Sequence, residues 1–426
     1  MNLRSIFHFG RTTLTDPVSA RRKISAKLGR TLSGSVELES LLDRRDEGKG
    51  TPVVHAANFG QSNAGDPFLA TVLRDLVSVR CGPIQWSGLH VHRETKPEII
   101  RFINRNKGLI IGGGGLFLKD TGANPNSGWQ WNCSVDSLNA IKVPIVVFAV
   151  GYNRFRNQPD FEPVFRQHLL RLAEKSAYLG LRNSGSIEAI KGYLPERLHH
   201  KVIYQPCMTT LLTRLYADQL RAIPKGEEFI AVNCAFDRSS MRFGEKEGAI
   251  LTSIAEALRR LSHQYPLKYY SHLPKDEQFL TYLDQNQVPY ELVRLSGASM
   301  QSILEAYALP ALTIGMRGHA QMIPFGCGRP ILSLISHDKL RWFLNDVGAE
   351  DWGIEVESPD LTDRIEHSAR DILACRDEAE RRIHEATARL WGITQTNLKT
   401  MADAFGLHWS PFNSIIPSNP ISLKST

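Results

Sequence analysis

Short apolar runs alternate with segments of helical period from residue 52 to residue 347, and most of the runs break into polar, glycine-bearing loops. Runs of four to eight apolar residues between turn signals predict buried strands, and recurrence every three to four residues predicts helices. On that basis residues 52–57, 108–111, 143–150, 177–181 and 202–204 are strands. The near-continuous run at 143–150 has the character of a central strand covered on both faces. Helical pattern lies between them at 67–77 and 169–176. A turn-rich segment at 224–228 is a linker, and the alternation then resumes. Strands are predicted at 229–234, 267–271, 290–295, 310–314 and 331–335, with helices at 249–264, 276–285, 300–308, 320–323 and 339–347. A long amphipathic pattern covers 361–390, with Ile365, Ile372, Ile383 and Leu390 on one face. Repeated strand–loop–helix units predict an α/β protein of two Rossmann-like domains facing across a cleft. The expected boundaries are a basic arm at 1–48, domains at 49–223 and 224–405, and a tail at 406–426. A helix is expected within the arm around 36–45.

Polar groups collect at the predicted strand ends, where open α/β sheets bind ligands. After the strand at 310–314, Gly315-Met316-Arg317-Gly318-His319 opens a helix. A guanidinium and an imidazole beside free helix-start N–H groups suit an anion. A bland alternative is an Arg317 paired with a carboxylate and a His319 that merely begins a helix. The strand at 108–111 is expected to turn at Gly112-Gly113-Gly114-Gly115, where the absence of Cβ atoms lets backbone N–H groups approach a ligand. A polar loop follows, in which Trp129 and Trp131 either stack on a sugar ring or anchor the loop to the core. Asn63 and Asp66 follow the first strand, Arg182 and Ser186 follow the strand at 177–181, and Lys339 follows the strand at 331–335.

The 426 residues carry a formal charge of +7, too little to single out nucleic acid, and no nucleic-acid motif is present. Seven of the first thirty residues are Arg or Lys, against one acid. That composition fits a flexible arm able to contact an anionic membrane surface. No apolar run reaches the length of a membrane span. The six cysteines form no C-x-x-C pair, and several lie in apolar runs, which fits free thiols in a reducing cytoplasm. His90-x-His92 and His199-His200 lack further ligands at zinc-like spacing, so no metal is expected.

Together, Gly112-Gly113-Gly114-Gly115-Leu116-Phe117, Met316-Arg317-Gly318-His319-Ala320 and Gly328-Arg329-Pro330-Ile331 with Lys339 resemble the polysaccharide pyruvyl transferase family. The similarity runs from about residue 52 to 350. It implies a glycosyltransferase-B-like fold and transfer of pyruvyl from phosphoenolpyruvate to a sugar as a ketal, with no separate cofactor. The implied partners are phosphoenolpyruvate and a sugar acceptor of an exopolysaccharide or a lipid-linked oligosaccharide at the inner face of a membrane. Three patterns depart from the family: Ser62-Asn63-Ala64-Gly65-Asp66 lacks the first glycine of Gly-Asn-x-Gly-Asp, Asn183 replaces an acid after Arg182, and Gln205 precedes Pro206. Arg317 is expected to clamp the carboxylate or phosphate, and His319 to move protons or steady the leaving phosphate. Arg182, Lys339 and the amides of Gly112, Gly113, Gly114 and Gly115 complete the pocket, while Asn63 and Asp66 orient the acceptor. The rival readings are a sugar-nucleotide glycosyltransferase, disfavoured by the lack of any acid between Arg317 and Pro330, and a non-catalytic glycan-binding relative.

Overall fold

A computed structural model describes residues 50–60, 64–224, 226 and 228–410, together with the backbone of one earlier strand, β1 (Leu42–Arg45). The rest of the arm, Gln61, Ser62, Asn63, two residues of the linker and the tail from 411 lie outside the described residues.

The first sheet is built from β1, β2 (Thr51–Ala57), β3 (Ile84–His90), β4 (Leu109–Phe117), β5 (Ile145–Tyr152), β6 (Ser176–Leu181) and β7 (Val202–Tyr204), in the order β1-β3-β2-β4-β5-β6-β7. All pairings are parallel except that of β1 with β3. The second sheet is wholly parallel. It contains β8 (Ile230–Asn233), β9 (Leu267–Ser271), β10 (Glu291–Arg294), β11 (Leu312–Gly315), β12 (Ile331–Ile335) and β13 (Gly353–Glu355), in the order β10-β9-β8-β11-β12-β13. Helices of eight residues or more are α1 (Gly65–Cys81), α2 (Pro163–Lys175), α3 (Ser184–Lys191), α4 (Glu247–Ser262), α5 (Met300–Ala308), α6 (His319–Gly326), α7 (Asp338–Val347), α8 (Leu361–Ala374) and α9 (Arg376–Phe405).

Strand alternation divides the first sheet between two cores. Val53, Ile110, Val146 and Phe148 face a core that continues into the second domain. Val54, Ile111, Ile145 and Val147 face a separate core on the other side. Both faces are covered, which is why β5 is apolar and buried along its whole length.

Several expectations need correction. The described part of the segment expected to be helical around 36–45 is strand β1, whose Leu42 and Arg45 pair with Leu89 and Ser87 of β3. Tertiary pairing at a sheet edge outweighs a weak local helical pattern. The glycine run is the middle of β4, where a turn was expected. Gly113 and Gly114 have φ of 78° and 90°, a region closed to most other residues, and a Cβ on Gly112 would lie 2.3 Å from the Phe148 carbonyl oxygen. The long helical pattern at 361–390 is two helices that break at Cys375. The later part of α9 returns to the first domain, where Asn397 Nδ2 donates to the Tyr204 carbonyl at 2.8 Å and to Gln205 Oε1 at 3.0 Å. Residues 406–410 dock there too: the Ser410 N–H donates to the Arg80 carbonyl, and the Arg80 guanidinium lies over Trp391 and Trp409. Strand β3 and the helix Pro97–Ile103 carry little sequence signal and were not expected.

Candidate active site

Each sheet reverses its strand order beside one central strand: between β2 and β4 in the first, and between β8 and β11 in the second. At such a switch point the connecting chains leave in opposite directions and open a crevice beyond the strand ends. The two crevices face each other and form one cavity of about 340 Å3. From the first domain it is lined by Asp66, the Gly112–Gly115 run, Asn153 and Arg182. The second domain contributes Asp237, Arg238, Arg242, His272, Arg317, His319 and Lys339. Sequence analysis missed Asp237, Arg238, Arg242, His272 and Asn153. Asp237 and Arg238 come just after β8, His272 just after β9 and Asn153 just after β5, so the strand-end rule that selected Arg317 would have selected these four.

The charges fall into two groups. Arg317 is engaged on both sides, with Nε and Nη2 donating to Asp276 at 2.8 and 2.6 Å and Nη1 lying 2.8 Å from Asp237. Burial works against its charge, but the two carboxylates win and raise its pKa. Arg242 pairs with Asp237 at 2.9 Å. Arg238 reaches across the cleft to Asp120, with Nε and Nη2 at 2.7 and 2.6 Å from the two carboxylate oxygens. Burial alone would raise the Asp237 carboxyl, but Arg242, Arg317 and Lys339 together hold it below the usual range. Three arginines are thus matched by Asp120, Asp237 and Asp276. Arg317 lines the cavity and is also the paired arginine of the bland alternative, with Asp276 and Asp237 as its carboxylates.

Arg182 and Lys339 remain. Arg182 is 6% exposed and makes no ion pair among the described residues, and its Nε is buried without a hydrogen-bond partner. It fits because Gly151 has no side chain: a Cβ there would lie 2.3 Å from that Nε. Burial lowers the pKa of Arg182, although an arginine keeps its charge in any protein setting. Lys339 Nζ donates to Asn153 Oδ1 at 2.9 Å, across the domain boundary, and has no carboxylate within ion-pair distance among the described residues. Burial and then Arg242 push its ammonium well below the ordinary lysine range.

His319 begins α6 and is 9% exposed. Burial, followed by Arg182, His272, Lys339 and Arg317, drives its pKa far down, so the ring is neutral. Its Nε2 has no hydrogen-bond partner in the described structure. Asp66, in the first turn of α1, accepts from Asn58 Nδ2 at 2.8 Å. Burial raises its carboxyl to about 7, against the pull of Arg182, Arg317 and Lys339. The cavity therefore offers a carboxyl that holds a proton near neutrality beside an imidazole that does not.

The structure brings together Asp66, Gly112, Gly113, Gly114, Gly115, Arg182, Arg317, His319 and Lys339. Ser186 is not among them. It is fully buried, its hydroxyl accepts from the Tyr152 N–H at 2.9 Å, and its own N–H donates to the capping Asn183. Asn63 lies outside the described residues. Trp129 and Trp131 are core anchors: both are buried, and Trp129 Nε1 donates to His168 Nδ1 at 3.1 Å.

Two Rossmann-like domains that share one anion-suited cavity define an α/β protein of glycosyltransferase-B-like architecture. Staphylococcus aureus MnaA in complex with UDP superposes with a TM-score of 0.50 at 12% identity, over 82% of this chain and 97% of that one. The Neisseria meningitidis UDP-GlcNAc 2-epimerase bound to UDP-GlcNAc gives 0.49 at 13% identity, over 83% of this chain and 100% of that one. At 12% identity the likeness to MnaA is one of fold. No curated protein sequence matches the chain. The chain belongs to the polysaccharide pyruvyl transferase family, whose model matches residues 63–338. That span includes Asp66, the glycine run, Arg182, Arg317 and His319, and it ends one residue before Lys339.

Proposed function

We propose that the protein transfers the pyruvyl group of phosphoenolpyruvate to a sugar of a polysaccharide or its lipid-linked precursor, as a ketal, with release of phosphate. The observation that carries this is the pair of basic groups from opposite domains, Arg182 and Lys339, that face one cavity with no carboxylate partner among the described residues. An unpaired buried cation costs several kcal/mol unless an anion meets it, and a bound anion favours the ammonium form of Lys339 that burial and Arg242 disfavour. Phosphoenolpyruvate carries two anionic groups on a three-carbon frame. Arg182 and Lys339 hold them, and the amides of the glycine run approach from the wall.

Asp66 supplies its proton to the methylene carbon, which makes C2 electrophilic. A sugar hydroxyl attacks C2 while His319, neutral beforehand, accepts the hydroxyl proton. Phosphate then departs with the proton held by His319, and a second hydroxyl closes the ketal on C2 as its own proton returns to the Asp66 carboxylate. The Asp66 carboxyl, raised to about 7, suits the donor's role, and a bound anion offsets the neighbouring cations that weaken the His319 imidazole as a base. Six free cysteines, five of them buried, support a reducing, cytoplasmic setting.

The direct test adds phosphoenolpyruvate to the purified protein and follows its melting temperature, then adds sugar acceptors and assays phosphate and ketal. A ligand that binds the native state at 100 times its Kd stabilises by about 2.7 kcal/mol. No rise with phosphoenolpyruvate, alongside a rise with nucleotide sugars, would reject this donor. A pH profile gives a second test. An acid that must hold its proton loses activity as pH rises, so kcat/KM should fall through about pH 7. In kcat the same limb should lie at higher pH, because a bound anion disfavours the Asp66 carboxylate. A limb that rises with pH in this range would assign Asp66 a different role.

A further inference from the structure

A second space lies against the first. A groove of about 600 Å3 is walled on one side by Tyr152, Arg154, Asp160 and Tyr193 of the first domain, and on the other by Asp338 and Trp342 of the second. It shares its partition with the cavity. Asn153 lines the cavity while Tyr152 and Arg154 line the groove, and Lys339 lines the cavity while Asp338 lines the groove. Successive Cα atoms are about 3.8 Å apart, so the two spaces are one residue apart along both chain segments. The Lys339–Asn153 hydrogen bond ties those segments together.

The chemistry of the groove differs from that of the cavity. Arg154 pairs with Asp160 at 2.9 Å, and Arg156 with Asp338 through its Nε at 2.7 Å. Glu188 adds a further exposed carboxylate. The guanidinium groups are thus answered by acids, and the site has no reason to select a second phosphate or carboxylate. What it offers is aromatic surface edged by planar groups that can form paired hydrogen bonds. Trp342 is a fixed platform, seated so closely on Gly185 that a Cβ there would lie 2.1 Å from the indole ring. The Tyr193 hydroxyl bridges Asp160 and Tyr152. An apolar ring face with neighbouring hydroxyls, which is to say a neutral pyranose chain, satisfies all of these features.

We propose that the groove holds the sugar residues adjoining the one that receives the pyruvyl group, so that acceptor binding tightens as the glycan lengthens into it. The inference rests on the pyruvyl-transfer function proposed for the cavity. The test offers the enzyme phosphoenolpyruvate with ladders of neutral gluco-, galacto- and manno-oligosaccharides of one to six residues, and measures KM for each acceptor. A fall in KM of about tenfold or more, each tenfold being about 1.4 kcal/mol, is expected as the chain lengthens from one residue to three. Trp342→Ala and Glu188→Ala should each erase most of that gain, while the stabilisation by phosphoenolpyruvate stays that of the wild type. Glu188 is exposed, so its variant tests the groove even if Trp342→Ala disturbs the domain contact. A KM independent of chain length, or variants that retain the full gain, would overturn the groove. Transfer to no ladder member, with phosphoenolpyruvate still stabilising, also overturns the groove and leaves the donor site standing. Neither stabilisation nor transfer overturns both.

Discussion

Arg182→Met is expected to make the ligand-free protein more stable and to remove its activity. The wild-type guanidinium is 6% exposed, lacks an ion-pair partner among the described residues and leaves Nε without a hydrogen bond. Methionine occupies similar length beside Gly151 and leaves no charge out of water. Replacing buried charges with packed apolar groups gains about 1–4 kcal/mol where the charge is poorly compensated. A rise in melting temperature of a few degrees should follow, since about 1 kcal/mol moves a large domain by roughly 2–4 °C. The cost appears in function. Removing one preorganised group from a site that handles developing charge typically lowers kcat by about 10²–10³-fold. The stabilisation by phosphoenolpyruvate should shrink with it.

Arg317→Met gives the opposite sign. Asp276, whose side chain is fully buried, would be left without the guanidinium that holds it, while Asp237 would keep Arg242 and Arg238. Breaking a buried pair from one side costs about 3–5 kcal/mol. Two arginines in one cavity wall should therefore move stability in opposite directions, read by denaturant and thermal unfolding of the two variants. A destabilised Arg182→Met would mean that its charge is compensated in the free protein, and the physical ground for an anion site would be lost.

That contrast marks how far the sequence could be read. The strands at 143–150, 202–204, 267–271 and 331–335 and the helix at 300–308 were legible, because buried parallel strands leave short continuous apolar runs and one-sided helices a period of three to four. Strand ends then located most of the cavity: Asp66, the glycine run, Arg182, Arg317, His319 and Lys339 were all found by position. What each one does there was not legible. Arg317 and Arg182 look alike in sequence, and only the fold brings Asp276, in a 3-10 helix forty-one residues away, to one of them. Ser186 sits one helical turn from Arg182 and still points into a capping network instead of the cavity. The glycine run was read as a turn because four successive glycines seldom continue a strand. Here Phe148 on the neighbouring strand leaves no room for a side chain at Gly112, and the next two residues need positive φ.

Gly65→Ala is the sharpest test of how the two domains meet. By local preference the change should help, since alanine is favoured over glycine inside a helix by about 1 kcal/mol. Tertiary contact reverses that expectation. A Cβ on Gly65, the first residue of α1, would lie 2.0 Å from His319 Nδ1 and 2.6 Å from its Cγ, and His319 opens α6 in the other domain. Neither partner is the end of a flexible chain, so the imidazole and the helix start must separate by about 1 Å or more. Displacement on that scale costs on the order of 10²-fold when the displaced group takes part in the chemistry. Gly65→Ala is therefore expected to keep its helix content and lose about that factor in kcat. The loss should be absent when Gly65→Ala is added to His319→Ala, because the smaller residue leaves room for the new methyl group. Such non-additivity is the signature of two positions acting through one contact. Equal losses in the wild-type and His319→Ala backgrounds would show that Gly65 acts through something other than the imidazole, and His319 would then lose its claim to a position fixed by the opposing domain.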